Sequence, residues 1–236
     1  MTDKGIQTVV DRFNEKNTSG FLASQSIGGN VEFGLVWPDK DYHIMADVSP
    51  YLFYFIKDKK GKCIGAVLDM NQDLHGYVTP PARKKGYLTN AFINFIFPHL
   101  ARSRRVQRVT INRDDIGDVN YAASLASATR SGFKVVGQEG AMTICLLNLA
   151  KYKKAPVRLV NEGMSFERMA ELRKDLNLHA LGLWQILAEV ETKLGISKES
   201  RALKRMIDEL QKYRGYKLED TLHEYLENKD RKSKWN

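Results

Sequence analysis

A cluster of positive charge separates a predicted strand from a predicted helix near residue 83. The segment 78–86 has the pattern Val-x-Pro-x-x-Arg-x-x-Gly, and Arg83 is followed directly by Lys84 and Lys85. The first turn of a helix has backbone N–H groups without partners, and the helix dipole is positive there. Basic side chains add positive charge, and Gly86 allows close approach of the backbone. The segment therefore predicts a cradle for a phosphate or pyrophosphate group, with a solvated basic loop as the alternative.

The residues that follow the cradle exclude two common phosphate-binding motifs. A Walker loop requires Gly-Lys-Ser/Thr before its helix, and this sequence does not occur after Gly86. The repeated glycines of a dinucleotide-binding turn are also missing. The segment is therefore a basic loop before a helix that matches neither of these two motifs.

The elements predicted before the cradle are one helix and a set of strands. Residues 4–16 have the apolar spacing of a short amphipathic helix. Turn-forming residues at 17–20 and 26–30 predict loops on either side of a brief apolar stretch. Three strands with short connections then predict an antiparallel meander, at 51–56, 62–70 and 74–78.

Helices and strands alternate after the cradle. A helix over 88–101 contains Pro98, which predicts a kink or a stop near its end. A turn at 112–117 leads to a helix rich in small residues over 119–130, and Gly132 ends that helix. The strands of this part are predicted at 106–111, 133–136 and 143–149.

Helical patterns dominate after a linker at 151–156. The predicted helices are one capped by Ser165, one over 178–194 that ends at Gly195, one from Ser197 to Gly215 and one over 218–228. Because four short helices form a small core, we expect a bundle that packs on itself or offers a surface to a second copy of the chain. The predicted parts are a domain over 1–152, a helical domain over 157–230 and a flexible basic tail over 231–236.

The charge of the chain favours an anionic ligand or partner. Lysine and arginine number 37 against 28 aspartate and glutamate, which gives a net charge of +9. The first 155 residues hold 21 of the basic and 14 of the acidic residues. Basic residues cluster at 83–85 and again at Arg102, Arg104, Arg105 and Arg108. Phosphates, nucleic acid or an acidic protein face would all fit this field.

Composition excludes several classes of protein. At 236 residues and 43% apolar content, the chain is neither collagen-like nor wholly disordered. No apolar run approaches the ~18 residues that would span a bilayer, and the N-terminal segment lacks a signal-peptide core. Cys63 and Cys145 lie far apart in apolar stretches, and neither has a ligand at metal spacing. We therefore expect a cytoplasmic protein with two reduced core cysteines, no metal and no membrane segment.

The order of these elements resembles the Gcn5-related N-acetyltransferase (GNAT) superfamily over about residues 50–149. The resemblance is closest in the segment 78–86 and from Asn120 through Ser124 to Gly132-Phe133. It implies an α/β (α+β) fold: a mixed, mostly antiparallel sheet flanked by helices, to which this chain adds its C-terminal helical bundle. It also implies acetyl-CoA or another acyl-CoA as co-substrate, with the pyrophosphate on the loop amides. The strand before the loop would splay from the next strand, and pantetheine would lie in the resulting cleft.

The resemblance also implies which residues bind the coenzyme. Arg83 and Gly86 match the family's loop, whereas Leu88 stands where the family usually has a small residue. Asn120 would contact pantetheine or the ribose end. The implied coenzyme-binding residues are Val78, Arg83, Lys84, Lys85, Gly86, Tyr87, Leu88 and Asn120.

Protonation of the leaving thiolate is assigned by the same resemblance to the helix over 119–130. Ser124 occupies the position where ribosomal-protein-type members carry a serine, and Ser127 lies one helical turn further. The position of the family's customary tyrosine holds Ala128. The alternative is that these small residues only let the helix pack closely against the sheet.

Acylation of an amine also requires a base and donors for the carbonyl oxygen. His75 is a candidate base because histidine titrates near pH ~6.5, and its side chain shares a face of its strand with Tyr77. Backbone amides near Tyr77 and Val78 would be the donors. Asp69 and Asp73 are weaker candidate bases, and a structural role for His75 is the alternative.

The sequence thus predicts an acyl-CoA-dependent N-acyltransferase that moves an acetyl or related acyl group to a primary amine by direct attack on the thioester. The first alternative is an acyltransferase that modifies a nucleic acid, either a DNA base or an aminoacyl-tRNA. The second is a non-catalytic binding module with the same fold. Expected partners are acyl-CoA, an anionic macromolecule (nucleic acid or acidic protein) and a second copy of the chain through the helical domain.

Overall fold

The computed structural model describes residues 2–15, 22–37, 50–153 and 164–213, together with 220, 221, 223 and 224. The chain divides into two units, Met1–Val160 and Asn161–Asn236. None of the described helices is long and apolar enough to cross a membrane. The predicted loop at 17–20, the basic tail and most of the predicted fourth helix lie outside the described residues.

The first sheet consists of five antiparallel strands in chain order. They are β1 (Leu22–Gly28), β2 (Val31–Val36), β3 (Tyr51–Lys57), β4 (Cys63–Asp69) and β5 (Leu74–Val78). The predicted meander is confirmed as β3 to β5. The prediction of a loop over 26–30 is wrong for Ser26 to Gly28, which lie in β1. β1 is an edge strand with few apolar residues. The hydrophobic pattern of its sequence therefore did not predict a strand that pairs with β2.

One face of this sheet is covered by the helix α1 (Asp3–Asn14), which confirms the predicted amphipathic helix. The Thr2 hydroxyl accepts a hydrogen bond from the Gly5 amide and caps the helix. Ile6 and Val10 are fully buried in a core cluster that includes Phe53 of β3. At the other end of α1, the Asn14 side chain bonds both the N–H and the carbonyl of residue 63, at 2.8 and 2.9 Å.

The second sheet has three antiparallel strands in the order β6-β8-β7. They are β6 (Val106–Asn112), β7 (Lys134–Glu139) and β8 (Met142–Asn148). All three predicted strands are confirmed, although β7 extends further than the pattern predicted. The fold is therefore α+β, with antiparallel sheets flanked by helices.

A single helical segment runs from residue 87 to residue 100. It consists of α2 (Tyr87–Ala91), a π-helical turn (Phe92–Ile96) and α3 (Phe97–Leu100). Pro98 lies in the first turn of α3, two residues after the π-helical turn, and has no N–H group to donate to the regular hydrogen-bond ladder. Phe92, Ile96 and Phe97 are buried in the core cluster shared by both sheets.

The helix α4 (Arg113–Arg130) begins earlier than predicted. Asn112 caps it by accepting from the Asp114 amide, so the predicted turn at 112–117 is instead one helical turn. Gly117 then breaks the helix with φ 71° and ψ 164°, a conformation that favours glycine. The helix ends at Ser131, and Gly132 (φ 98°) turns the chain as predicted.

Two acidic residues of the β4–β5 turn join the two sheets. Asp69, whose side chain is 2% exposed, binds the Arg104 guanidinium through two parallel hydrogen bonds of 3.0 and 2.7 Å. Asp73 accepts from the Thr110 amide (3.0 Å) and hydroxyl (2.6 Å), and from Arg108 at 3.2 Å. Arg104 precedes β6, whereas Arg108 and Thr110 lie within it. These bonds therefore hold β6 beside the start of β5.

The second unit contains two described helices, α5 (Phe166–Leu194) and α6 (Lys198–Lys212). Ser165 and Ser197 cap them, as predicted. The prediction of two separate helices within 165–194 is wrong, because no proline interrupts this stretch and α5 is continuous over 29 residues. Buried residues of the two helices are Met169, Ala180 and Leu187 of α5, and Ser200 and Ile207 of α6.

We expect Arg104→Ala to lower the free energy of unfolding by about 3–5 kcal/mol, because it leaves the buried Asp69 carboxylate without a partner. Urea unfolding followed by circular dichroism measures the change. Arg105→Ala is the matched control: its side chain is exposed, and the change should stay within about 0.5 kcal/mol. Equal unfolding midpoints for the two variants would contradict the role of the ion pair.

Candidate functional site

The strands β5 and β6 run parallel but touch at one end only. A single bridge, Asp73 to Arg108, joins them among the described residues, and beyond it they belong to separate sheets. From this point the facing edges of β5 and β6 have no ladder partner, up to Val78 on one strand and Asn112 on the other. This matches the splayed strand pair that the resemblance implied.

The register of β4 and β5 identifies which backbone groups face β6. The Met70 amide donates to Asp73 and the Thr79 amide donates to Ile64, both at 2.9 Å. Since hydrogen-bonded pairs alternate along an antiparallel ladder, the amides of residues 75 and 77 are directed toward β4. The amides of Gly76 and Val78 lie on the opposite edge, facing β6. The Tyr77 amide, predicted as a donor to the site, thus belongs to the ladder with β4.

The basic loop follows β5 at the end where the two strands part. Residues 83–86 are all exposed, and Lys84 (φ 61°) and Gly86 (φ 76°) both adopt left-handed backbone conformations. Arg83 Nε donates to the Val78 carbonyl at 3.0 Å, and its guanidinium lies 6.0 Å from the Tyr77 ring centroid. The loop is therefore folded back onto the end of β5.

The helix after the loop begins without a side-chain cap. Gly86 is the N-cap residue, and the Asn90 amide, which donates to the Gly86 carbonyl, is the first with an intrahelical partner. The amides of residues 87–89 precede it, so they are the donors that the helix start offers to a ligand. Lys84 and Lys85 lie directly before these donors, as the sequence predicted.

Leu88 points toward the sheet. Its Cδ2 atom lies 3.3 Å from the place that a Cβ atom on Gly76 would occupy, and its side chain is half-buried against the shared core. The Leu88 side chain thus covers one face of β5 at Gly76. A larger residue at position 76 would displace it.

The side chains of His75 and Tyr77 lie on the same face of β5, as predicted, and both contact α1. His75 Nε2 is 2.7 Å from Asp3 Oδ1, and the Tyr77 hydroxyl donates to Gln7. Burial raises the pKa of Tyr77, so it is a hydrogen-bond donor at neutral pH. Sequence reasoning missed Asp3 and Gln7. They are spaced one helical turn apart on α1, but no local pattern connects them to residues 72 and 70 positions away.

The two weaker candidate bases are occupied elsewhere. Asp69 is buried against Arg104, and Asp73 accepts hydrogen bonds from Thr110 and Arg108. Both carboxylates lie at the end where β5 and β6 are joined. They hold the strands together rather than face the open end.

On α4, the predicted residues Asn120, Ser124 and Ser127 share one stripe of the helix, at positions i, i+4 and i+7. Asn120 Nδ2 donates to the Ile116 carbonyl at 3.0 Å and so spans the break at Gly117. The two serines are half-buried, and neither hydroxyl has a hydrogen-bond partner among the described residues. The helix packs against α2, so the stripe belongs to the same layer as the helix entrance.

The two cysteines are core residues. Burial raises the pKa of the Cys63 thiol to about 12, and this thiol donates to the Gly65 carbonyl at 3.3 Å. Burial also raises the pKa of Cys145. Within the described ranges, no group of three histidine, cysteine or acidic side chains is arranged to hold a metal ion.

Comparison with known proteins gives distant structural neighbours only. No protein-family model matches the chain, and no curated protein matches its sequence. A GNAT-superfamily phosphinothricin acetyltransferase from Sinorhizobium meliloti, in complex with acetyl-CoA, aligns over 67% of this chain and 92% of its own, with 12% identity and a TM-score of 0.36. A ribosomal-protein-alanine N-acetyltransferase from Brucella melitensis aligns over 63% and 96%, with 15% identity and a TM-score of 0.34. The N-acetyltransferase PseH from Campylobacter jejuni, in complex with acetyl coenzyme A, aligns over 42% and 67%, with 10% identity and a TM-score of 0.32. At these scores the likeness carries no argument about the substrate or mechanism of this chain.

We expect neither cysteine to react with Ellman's reagent in the native protein at pH 8. A thiol whose pKa is about 12 is almost entirely protonated at that pH, and only the thiolate reacts. After unfolding in urea, both thiols should react. Fast labelling of one thiol per native chain would show that a cysteine is accessible and activated.

Proposed function

We propose that the chain transfers an acyl group from an acyl-CoA to a primary amine. One observation carries the proposal: the unpaired edge of β5, the basic loop and an uncapped helix start all lie at the end where β5 and β6 part. A thioester carrier with a diphosphate needs these features in that order. The GNAT resemblance of the segments 78–86 and 120–133 agrees with this use.

The diphosphate of the coenzyme would lie on the loop. Lys84 and Lys85 are exposed beside the first-turn amides of Tyr87 and Leu88, so two cations and at least two N–H donors surround one anionic position. Arg83 has a different part in this proposal. Its Nε atom is committed to the Val78 carbonyl, and it fixes the loop to the strand while its remaining N–H groups stay exposed.

The pantetheine arm would lie along the free edge of β5. Its amide groups can pair with the unused N–H and C=O groups there, as an added strand would. The Gly76 and Val78 amides then become the donors for the thioester oxygen, which gains negative charge when the amine attacks. Gly76 has no side chain of its own beside this edge, and the Leu88 side chain covers the face of the strand there.

His75 would act as the base, with Asp3 as its positioning residue. When Nε2 donates to Asp3 across 2.7 Å, the Nδ1 lone pair is free to accept a proton from the amine. The amine nitrogen then forms a bond to the carbonyl carbon, and the C–S bond of the tetrahedral intermediate breaks. The thiolate leaves and is protonated through the hydroxyl of Ser124 or Ser127, which takes up a proton from water as it gives its own. Neither hydroxyl has another hydrogen-bond partner among the described residues.

A non-catalytic module that binds an acyl-CoA is the second candidate. Ala128 favours it, because this position of the family's customary tyrosine is buried in the core and supplies no acid. Coenzyme binding without transfer to any amine would select the module. Mass spectrometry of cellular protein, RNA and DNA with and without the chain would reveal the acceptor of an active enzyme as an added acyl mass.

We expect isothermal calorimetry to detect acetyl-CoA binding, and the double variant Lys84→Asn, Lys85→Ala to bind at least about tenfold more weakly. Each lost charge-assisted hydrogen bond costs roughly 1.5–3 kcal/mol. Asparagine is chosen at position 84 because it tolerates the left-handed backbone.

The matched control for this experiment is Lys59→Ala, Lys60→Ala in the exposed turn after β3, which removes the same charge elsewhere. It should bind as the wild type does. Absence of heat with the wild-type protein would overturn the proposed function.

We expect His75→Gln to lower kcat about 10²-fold in an assay of coenzyme A release with a panel of primary amines. His179→Gln on the exposed surface of α5 is the control and should leave kcat unchanged. An unchanged kcat in His75→Gln would assign the base to another group.

A further inference from the structure

Three chain segments meet at the end of the first unit where α3 and α4 end. The Phe97 ring lies 5.6 Å from the Phe133 ring and 5.3 Å from the Tyr152 ring, and so connects the three segments. The Leu149 amide also donates to the Arg105 carbonyl at 2.8 Å. Residues that are up to 55 positions apart in the sequence therefore share one surface, which we call the basic pole.

The basic pole carries six exposed cations. None of them forms an ion pair with a described acidic residue. They are Arg102, Arg105, Arg130, Lys134, Lys151 and Lys153. A seventh, Arg104, is turned inward and neutralised by Asp69. Only part of the positive charge predicted from the arginine cluster at 102–108 is therefore exposed to a ligand. Two other segments of the chain bring four further cations to the same surface.

Acidic residues are absent from the sequence of all three segments, 97–106, 127–136 and 145–153. The described acidic residues of the second sheet and its helix lie at the other end: Asp114, Asp115 and Asp118 in the first turns of α4, and Glu139 at the end of β7. Six like charges on one surface, without an ion-pair partner among the described residues, repel one another, and an anionic partner relieves that repulsion.

The basic pole is separate from the proposed coenzyme site. The 14 residues from Tyr87 to Leu100 form one helical segment with the basic loop before its start and Arg102 after its end. At 1.5 Å per residue, this segment places the two about 20 Å apart. The two clusters therefore serve different anions.

We propose that the basic pole binds the sugar-phosphate backbone of a nucleic acid. The cations are spread over three segments of an open surface, which suits a row of phosphates better than a single small anion. Three of the six are arginines, whose guanidinium groups bind phosphate with two hydrogen bonds. The aromatic rings at this end that could anchor a membrane-bound protein, Phe97 and Phe133, are buried. The proposal does not depend on acyl transfer.

The test measures binding of the full chain to a fluorescein-labelled 20-nucleotide single strand and to a 20-base-pair duplex, by fluorescence anisotropy from 50 to 200 mM salt. The test variant is Arg102→Ala, Arg105→Ala, Lys151→Ala. The control variant is Lys59→Ala, Lys60→Ala, Lys62→Ala, which removes the same three charges from the exposed turn before β4. Thermal melting of both variants verifies that they are folded.

We expect the test variant to bind at least tenfold more weakly than the control at 150 mM salt. Its slope of log Kd against log salt on the duplex should fall by up to about 2.7, the value for three lost phosphate contacts. Equal losses in the two variants would mean that only net charge matters and would overturn the proposal. So would absence of binding to both probes, or preferential binding to phosphatidylserine vesicles with the same dependence on these residues. Failure here would leave acetyl-CoA binding by the wild type intact.

Discussion

The carboxylates of Asp69 and Asp73 determine where the two sheets join and where they part. Asp69 is nearly inaccessible to solvent, and its charge is stable there because Arg104 binds both of its oxygens. The Asp73 carboxylate accepts hydrogen bonds from the amide and the hydroxyl of Thr110, in place of a backbone pair between the two strands. These bonds hold β6 beside the start of β5. Beyond these bonds, the described backbone groups of β5 and β6 do not pair with each other. The two strands are therefore joined at one end, and at the other end their facing edges have unused hydrogen-bonding groups.

The unused edge is where the proposed function places the ligand. In the proposed function, the strand edge with free amides at Gly76 and Val78 would accept an extended, amide-bearing ligand, and the basic loop that follows would supply charge for its diphosphate. On the face toward α1, Asp3 orients His75, the residue that we propose as the base. The helical segment 87–100 then separates this anion-binding end from the basic pole. The fold thus distributes its positive charge into two clusters of different geometry.

Local patterns predicted the elements of the sheet core but not the contacts between distant residues. The strands β3 to β5 and the helix after Gly86 could be predicted because apolar runs and turn residues mark them within a few positions. The edge strand β1 could not, since Ser24, Gln25 and Ser26 are stabilised by pairing with β2. Asp69 and Asp73 were candidate bases in the sequence, because nothing near them indicates that Arg104 and Thr110, 35 and 37 positions away, bind their carboxylates. Asp3, the partner of His75, could not be predicted for the same reason, because it lies 72 positions away in the sequence.

Hydrogen–deuterium exchange with and without acetyl-CoA tests the central claim, that the free edge of β5 and the following helix start bind the coenzyme. Without ligand, the amides of Gly76, Val78, Tyr87 and Leu88 should exchange fast, because none of them has a partner in the β4–β5 ladder or within the helix. With saturating acetyl-CoA, peptides covering residues 74–90 should be protected while peptides of β8 remain unchanged. Protection elsewhere, or none within 74–90, would contradict the account.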